Sequence, residues 1–581
     1  MRLENGGMAA STISQTDILA QAEELLAEET IAAANAILGA NPFVGVDVRR
    51  LLETFTEYLA GIVRRPDALA AEGSKLASEL VRIAAGVSDV APEGGDKRFA
   101  DPTWTENPVY HRVMQAYLAW RSAMHALVPS ADDGEWKKPE QERFVVRLLT
   151  EALAPTNLLA GNPAALKRAF ETGGMSLVRG MRNFIIDLWE NGGMPQSVDK
   201  RPFQVGRNIA LTPGAVIYRS DLLELIQYAP AAKQIYQRPL MLVPPQINKY
   251  YIMDLAPKRS LVEYAVARGV PVFLVSWRNP KPENRDWGVD KYVAETEKAL
   301  DAVLEISASP DANLLGVCSG GMTSSLMLGH LAASRDRRIH SATLLVTMLD
   351  SSEPSMTGMF TTPEGVAASL AESRRKGVLD GAAMARLFAW LRPNDLVWNY
   401  WVNNYLMGND PAAYDILFWN ADSTNLPAAL HAGFLDLLLR NPLMRAGEVT
   451  VLDTPIDLRA VDCDMYIVAG LTDHICSWRA VHHGAQLFGG KVEFVLNSSG
   501  HVQTLVAAPG NFKSRYYLNP NPEPEPDQWA KAAVEHKGTW WDHWLGWIDR
   551  RSGDKRAAPA SLGSRRFPQL YPAPGHYVVE R

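Results

Sequence analysis

The chain has 581 residues, 47% of them hydrophobic, and a formal net charge of −7. It is long enough for two cores and lacks the basic balance that a dedicated nucleic-acid surface requires. The thiols are Cys318, Cys463 and Cys476, in no spacing that suggests a disulfide framework or a zinc site, so a reducing cytoplasm is the expected compartment.

Met1 to Ser11 lacks a basic segment followed by an apolar run and does not read as a secretion signal, and Met8 offers a second start. The longest apolar runs, such as Gly269–Trp277, fall far short of a membrane span. Between Asp17 and Leu38, residues Ile18, Leu19, Ala22, Leu25, Leu26, Ala33 and Ile37 keep helical spacing opposite Glu23, Glu24, Glu28 and Glu29. This predicts a surface helix, either docked on the protein or lying on a hydrophobic particle. The chain then reads as mostly helical to about Gly193, with breaks at Pro42, Pro66, Pro92, Pro102, Pro129 and Pro163 and an exposed loop over Ser88–Lys97. Residues 1–200 are therefore expected to form an accessory helical domain without catalytic residues.

Residues 201–581 change pattern. Expected strands Arg238–Val243, Val270–Val275, Asn313–Val317 and Ala342–Thr347 alternate with expected helices Pro257–Arg268, Val289–Ile306 and Met322–Ala333. Such βαβα alternation builds a mainly parallel sheet covered on both faces. Asp464–Ala469 and Lys491–Leu496 supply two later strands. Between them, about 351–450, lies a helical, aromatic insertion with Phe388, Trp390, Trp398, Tyr400, Trp401, Tyr405, Phe418 and Trp419, most of which are expected to form the insertion's own core. Asn519–Asp527 is a Pro-rich spacer, and Trp540, Trp541, Trp544 and Trp547 follow on helical spacing, suited to packing on the sheet.

Strand Asn313–Val317 runs into Gly316-Val317-Cys318-Ser319-Gly320-Gly321 and then a helix, the G-x-S-x-G nucleophile elbow with Cys in the Ser position. The fold is thus expected to be an α/β-hydrolase with a helical lid insertion. The helix N-terminus favours a thiolate at Cys318. Asp473, after strand Asp464–Ala469, and His501, after strand Lys491–Leu496, follow in the order nucleophile, acid, base. Asp350 competes as the acid, with a helix cap or lid hinge as its other reading. His474 is given a supporting or structural role, and Cys463 and Cys476 are read as incidental. An oxyanion hole needs two backbone donors, and the expected ones are the N–H groups of Ser319 and of Ile247 in the loop Pro244-Pro245-Gln246-Ile247-Asn248-Lys249.

The chain resembles the polyhydroxyalkanoate synthases over nearly its full length. The resemblance is carried by Val243-Pro244-Pro245-Gln246-Ile247-Asn248-Lys249-Tyr250-Tyr251, Ser276-Trp277-Arg278-Asn279-Pro280, the stretch Leu391–Tyr400 (LRPNDLVWNY), Phe418-Trp419-Asn420 and Asp473-His474-Ile475. Cys-Ser-Gly-Gly at the elbow is similar to the single-subunit branch that works on medium-length side chains. Cys476-Ser477-Trp478 departs from the family pattern, which more usually has proline before the Trp. The resemblance implies the roles of Cys318, Asp473 and His501, polymerisation of (R)-3-hydroxyacyl-CoA into polyester, an active homodimer, and attachment to polymer granules and their associated proteins. No cofactor and no metal are implied, CoA being the leaving group of the substrate. Arg392 is expected either to contact CoA phosphate or to form a lid salt bridge. A thioesterase or polyester hydrolase with the same triad, and a non-catalytic granule protein, are the rival functions.

Overall fold

Proline opens the helices of the N-terminal third more often than it breaks them. The computed structural model describes residues 48–129, 137–353 and 363–581; the helix expected over Asp17–Leu38 and the choice between Met1 and Met8 lie outside them. Helices α1 (Val48–Val63), α2 (Pro66–Ala85), α3 (Pro108–Ala126), α4 (Lys137–Ala152), α5 (Pro163–Glu171) and α6 (Met175–Glu190) build this region. Pro66, Pro108 and Pro163 are first helical residues, where a missing N–H costs nothing. Asn107 and Asn162 cap α3 and α5 through their side-chain oxygens. A small core of Phe99, Trp104, Met114, Tyr117 and Leu118 holds the loop Ser88–Lys97 and its sequel against α3.

The rest is organised by an eleven-stranded sheet. In chain order its strands are β1 (Gly214–Arg219), β2 (Leu223–Tyr228), β3 (Leu240–Val243), β4 (Val272–Trp277), β5 (Ala312–Val317), β6 (Ile339–Leu345), β7 (Asp464–Gly470), β8 (Val492–Asn497), β9 (Arg515–Leu518), β10 (Val534–Lys537) and β11 (Tyr571–Pro572). Their spatial order is β10-β9-β8-β7-β6-β5-β3-β4-β2-β1-β11. The six strands from β8 to β4 are parallel, as the βαβα pattern requires. Both flanks are antiparallel. The sheet is therefore mixed, with a parallel centre that carries the elbow.

Two apolar layers cover the sheet, so its central strands are buried on both faces and read as continuous apolar runs. One layer is formed by helices α8 (Val289–Ser307) and α9 (Ser319–Ala333), with later helices of the insertion and of Trp478–Ala485. The other contains α7 (Leu261–Ala267) and the Trp-rich helix Trp540–Asp549. All four Trp of that helix are buried, and Trp544 Nε1–H donates to Thr343 Oγ1 of β6 at 3.0 Å. Helix α7 starts later than Pro257 because Ser260 accepts from the Glu263 N–H at 2.8 Å and fixes the cap there.

The insertion between β6 and β7 is mostly helical among its described residues, with α10 (Pro363–Lys376), α11 (Gly381–Trp390) and α12 (Ala428–Arg440) as its longer helices, two π-helical turns over Asn394–Trp398 and Val402–Leu406, and two short antiparallel pairs of two-residue strands. Several of its aromatics face the N-terminal helices as well as one another, Trp401 meeting both Trp398 and Tyr405 edge-on. Phe184 of α6 meets the rings of Trp401 and Tyr405 edge-on. Trp401 Nε1–H donates to Asn157 O at 3.1 Å, and Tyr405 O–H to Asp187 Oδ2 at 2.8 Å. Glu151 accepts the Asn394 N–H at 2.9 Å, and Asn183 donates to Asn404 O and Asn409 O. A Cβ on Gly180 would lie 1.9 Å from Tyr405 O, so α6 and the insertion approach backbone to backbone.

The end of the chain returns to the sheet. Glu224, fully buried in β2, accepts the His576 and Tyr577 N–H groups at 2.8 and 3.0 Å and the Tyr571 hydroxyl. Lys249 Nζ donates to Tyr577 O at 3.1 Å and Glu580 O at 2.8 Å, and Arg278 pairs with Glu580 at 2.9 Å.

Candidate active site

The elbow forms where β5 ends and α9 begins with no intervening loop. Cys318 takes φ +51° and ψ −121°, a backbone conformation that costs a non-Gly residue on the order of 1–3 kcal/mol and persists only where its surroundings impose it. Those surroundings are close. The Cys318 N–H donates to Leu345 O of β6 at 2.9 Å. A Cβ on Gly320 would lie 2.3 Å from Pro244 O, and one on Gly321 would lie 1.9 Å from Thr347 Oγ1. Only hydrogen at these two positions lets α9 sit this near both neighbouring strand ends.

Asp473 and His501 come to the same edge of the sheet because β7 and β8 lie in parallel register, with Gly470 opposite Asn497. His501 Nδ1 and Asp473 Oδ2 are 2.6 Å apart. The other carboxylate oxygen, Oδ1, accepts the N–H groups of Ile475 and Cys476 at 2.8 and 2.9 Å, which fixes the carboxylate in its loop. The Asp473 side chain is fully buried and that of His501 nearly so. Burial alone would lower the His501 pKa, but the Asp473 carboxylate and the Cys318 sulfur outweigh it and raise it to about 10. The Cys318 thiol moves the other way, well below its ordinary range. The neighbouring Cys476 thiol is the largest cause, and His501 and the Ser319 backbone add to it against the burial penalty. The arrangement supports a Cys318 thiolate beside a His501 imidazolium.

The expected oxyanion donors, Ser319 and Ile247, lie on neighbouring segments of chain. The Gln246 N–H is spent on Ser319 Oγ at 3.1 Å, and Gln246 Nε2 donates to Thr323 Oγ1 at 2.9 Å, tying the Pro244–Lys249 loop to the first turn of α9. The next amide, Ile247, has no acceptor among the described residues, while its carbonyl accepts the Thr424 N–H at 3.1 Å. Three of the sequence strings that carry the family resemblance meet at this loop. Trp277 Nε1–H donates to Pro244 O at 2.8 Å, Trp419 Nε1–H to Lys249 O at 2.7 Å, and the Tyr251 hydroxyl to Asp422 at 2.7 Å. Gln246 and Thr424 were not singled out from sequence; their places inside or beside those strings were the available signal.

The remaining candidates separate. Asp350 does not reach His501. It accepts from Asn441 Nδ2 at 2.7 Å and from the Ser352 N–H and hydroxyl at 2.9 Å, joining the two ends of the insertion, which is the hinge reading. Arg392 pairs with Asp395 inside the insertion, which is the salt-bridge reading. His474 lies beside the site with its Nδ1 buried and unbonded, and burial, with Arg392 nearby, lowers its pKa to about 4. It is neutral at physiological pH. Cys463 is remote, near Met465, and burial pushes its thiol up to about 12.

Cys476 corrects the sequence reading. It stands beside the acid and the base: its buried sulfur lies within 4.8 Å of donor atoms of Asp473 and His501, and the neighbouring Cys318, with burial, pushes its pKa well above the ordinary value. Among the described residues Asp473, Cys476 and His501 are the one group of potential metal ligands, with donor atoms within 4.8 Å of one another. The Asp473 and His501 atoms are bonded to each other, so the group reads as an acid–base chain.

A family described as "Poly-beta-hydroxybutyrate polymerase (PhaC) N-terminus" matches residues 95–265, and one described as "alpha/beta hydrolase fold" matches residues 239–508. The chain is 45% identical over 549 residues to poly(3-hydroxyalkanoate) polymerase 1 of Ectopseudomonas oleovorans, covering 94% of this chain and 98% of that one. It is 46% identical over 544 residues to polymerase 2 of the same organism, covering 93% and 96%. It is 38% identical over 505 residues to the poly(3-hydroxyalkanoate) polymerase subunit PhaC of Cupriavidus necator, covering 85% of each chain.

Proposed function

The chain belongs to the poly(3-hydroxyalkanoate) polymerase family, and from that membership we propose how its residues perform the reaction. It is an acyltransferase that joins hydroxyacyl units from CoA thioesters into polyester. The observation that carries the assignment of residues is the 2.6 Å contact of His501 with Asp473 beside a cysteine elbow.

Cys318 as thiolate attacks the carbonyl carbon of an (R)-3-hydroxyacyl-CoA. The Ser319 and Ile247 N–H groups hold the oxyanion, the C–S bond to CoA breaks, and CoA leaves as the thiol with the proton of the His501 imidazolium, so that an acyl group on Cys318 stands beside a neutral imidazole. Exchange of one thioester for another is close to neutral in free energy, so the acyl group stays transferable. The 3-hydroxyl of another unit then attacks that thioester. His501, oriented by Asp473, takes the hydroxyl proton, the ester forms, and the Cys318 sulfur is released. Water must be kept from the acyl enzyme, the task we assign to the insertion. Arg392 and His474 are given no step. No cofactor is required, CoA being only a leaving group.

Among the described residues no helix is long and apolar enough to cross a membrane. We assign the protein to the cytoplasmic surface of its own polyester granules, as a homodimer that meets granule-associated proteins there. The test is to feed purified protein C4 and C8–C10 (R)-3-hydroxyacyl-CoAs and follow CoA release and polymer mass. Polymer is expected from the native chain and none from Cys318→Ala. CoA release without polymer would make the protein a thioesterase, and polymer from the Cys318→Ala chain would refute the reading.

A further inference from the structure

We propose that Thr424 is a positioning residue of the oxyanion site: its hydroxyl, bonded to the Gln246 carbonyl, aims the Ile247 N–H at the reacting oxygen. The inference rests on the reading of Ile247 as the second oxyanion donor beside Ser319.

The Gln246 carbonyl and the Ile247 N–H belong to one trans peptide unit. In a planar trans peptide the two point in opposite directions, so whatever fixes the carbonyl also fixes the amide. The Thr424 hydroxyl donates to Gln246 O, and the Thr424 N–H donates to Ile247 O at 3.1 Å. One residue thus grips the carbonyls on both sides of the Ile247 Cα. From the other direction the Gln246 N–H is held by Ser319 Oγ at 3.1 Å. Of the backbone polar groups of Gln246 and Ile247, the Ile247 N–H alone has no protein partner among the described residues.

Thr424 can hold this peptide because its own segment is held. It is 2% exposed and Gln246 3%, so water does not compete for the bond. Ser423 forms an antiparallel bridge with Asn248, which extends the contact by one residue. Asn425 ties the segment to the loop just beyond β4. Its N–H donates to Asn279 Oδ1 at 2.9 Å, and its side-chain amide to Pro280 O at 3.1 Å. Thr424 belongs to the insertion, so the insertion builds part of the chemical site as well as its cover. The hydroxyl has a second effect. A bond accepted by a peptide carbonyl polarises the unit and strengthens what its N–H donates. A donor fixed in advance needs no reorganisation when the thiolate adds to the carbonyl carbon and the π pair moves onto oxygen.

The test compares two reactions of Cys318 in full-length Thr424→Val, Thr424→Ala and Thr424→Ser. One is first-turnover CoA release from a C8 (R)-3-hydroxyacyl-CoA, which passes through an oxyanion. The other is alkylation by iodoacetamide, which displaces iodide at a saturated carbon and forms none. Val and Ala lack the hydroxyl and are expected to slow CoA release by roughly ten- to a hundredfold, short of the roughly 10²–10³-fold that loss of a whole oxyanion donor costs. The half-saturating substrate concentration and the alkylation rate are expected to stay at native values. Ser keeps the donor and restores most of the loss. Native CoA release in the Val and Ala variants, alkylation slowed in step with it in both, or a Ser variant as slow as Val overturns the inference. Ile247→Pro, which has no N–H, separates the two levels. Slow release there, with native release in the Thr424 variants, overturns the role of Thr424 and leaves the oxyanion reading standing. Native release by Ile247→Pro overturns that reading and the role of Thr424 with it.

Discussion

The Tyr405 hydroxyl donates to Asp187 Oδ2 at 2.8 Å across 218 residues of chain, in a contact buried on both sides. It joins a π-helical turn of the insertion to the last turns of α6. Asp187 also accepts the Gln196 N–H at 3.0 Å, so Tyr405→Phe leaves the carboxylate with one fewer buried donor. The expected cost is about 1–3 kcal/mol, read as a lower denaturation midpoint at unchanged iodoacetamide labelling of Cys318. A variant as stable as the native chain would show that the insertion does not depend on this tie.

The thiolate–imidazolium pair has a pH window. The Cys318 pKa is depressed and that of His501 raised to about 10, so the pair persists from well below the ordinary thiol range up to about pH 10. Labelling of Cys318 is expected to be fast at pH 7, while Cys463 and Cys476, both pushed upward, stay unmodified in the folded chain. His501→Gln removes the cation, and the labelling midpoint moves toward higher pH. Equal labelling of all three cysteines at pH 7 would contradict this ordering.

Asp473→Asn keeps the size of the side chain and removes the charge that raises the His501 pKa. Base assistance of this kind contributes roughly 10²–10⁴-fold, and polymer formation is expected to fall within that range, with the base limb of its pH profile moving down from about 10. A fall without that movement would mean that Asp473 acts only as a scaffold.

These residues were legible because their setting is local. Cys318 stands between a strand and a helix, and Asp473 and His501 each follow a strand, so spacing along the chain carried the information. The approach of the Cys476 sulfur to Asp473 and His501 was not legible, because it depends on side-chain direction in a loop and no periodicity governs that. The antiparallel flanks were missed for a related reason: β11 spans two residues, and β1 and β2 pair with strands far away in sequence or leave no helix between them. The insertion's aromatics were visible as apolar residues. That several of them would meet Phe184 and its neighbours was a matter of tertiary packing, since burial of a Trp does not name its partner.

Gly320→Ala tests how tightly the elbow is built. A methyl group there meets Pro244 O at 2.3 Å, and the obstacle is backbone. Overpacking of this kind costs about 1–3 kcal/mol, and the Gln246 to Ser319 bond is expected to break as the loop is pushed away. Stability and polymer formation are expected to fall together, measured by denaturant unfolding and CoA release. A fully active Gly320→Ala chain would mean that the loop moves freely.

Trp544→Ala removes a buried ring and its bond to Thr343. The expected loss is about 3–5 kcal/mol, measured by unfolding. A loss under 1 kcal/mol would show that the Trp-rich helix is only loosely attached to the sheet.

The grip of Glu224, Lys249 and Arg278 on residues 571–580 bears on how the protein can be handled. Lys249 stands two residues from Ile247, so the amide assigned to the oxyanion and the carbonyls of Tyr577 and Glu580 share one short stretch of backbone as their anchor. A reporter joined close to residues 577–580 begins at that anchor, with no slack to take up a pull. Cargo attached there needs a flexible spacer of its own; without one, a pull on it is felt first at the loop facing the substrate carbonyl.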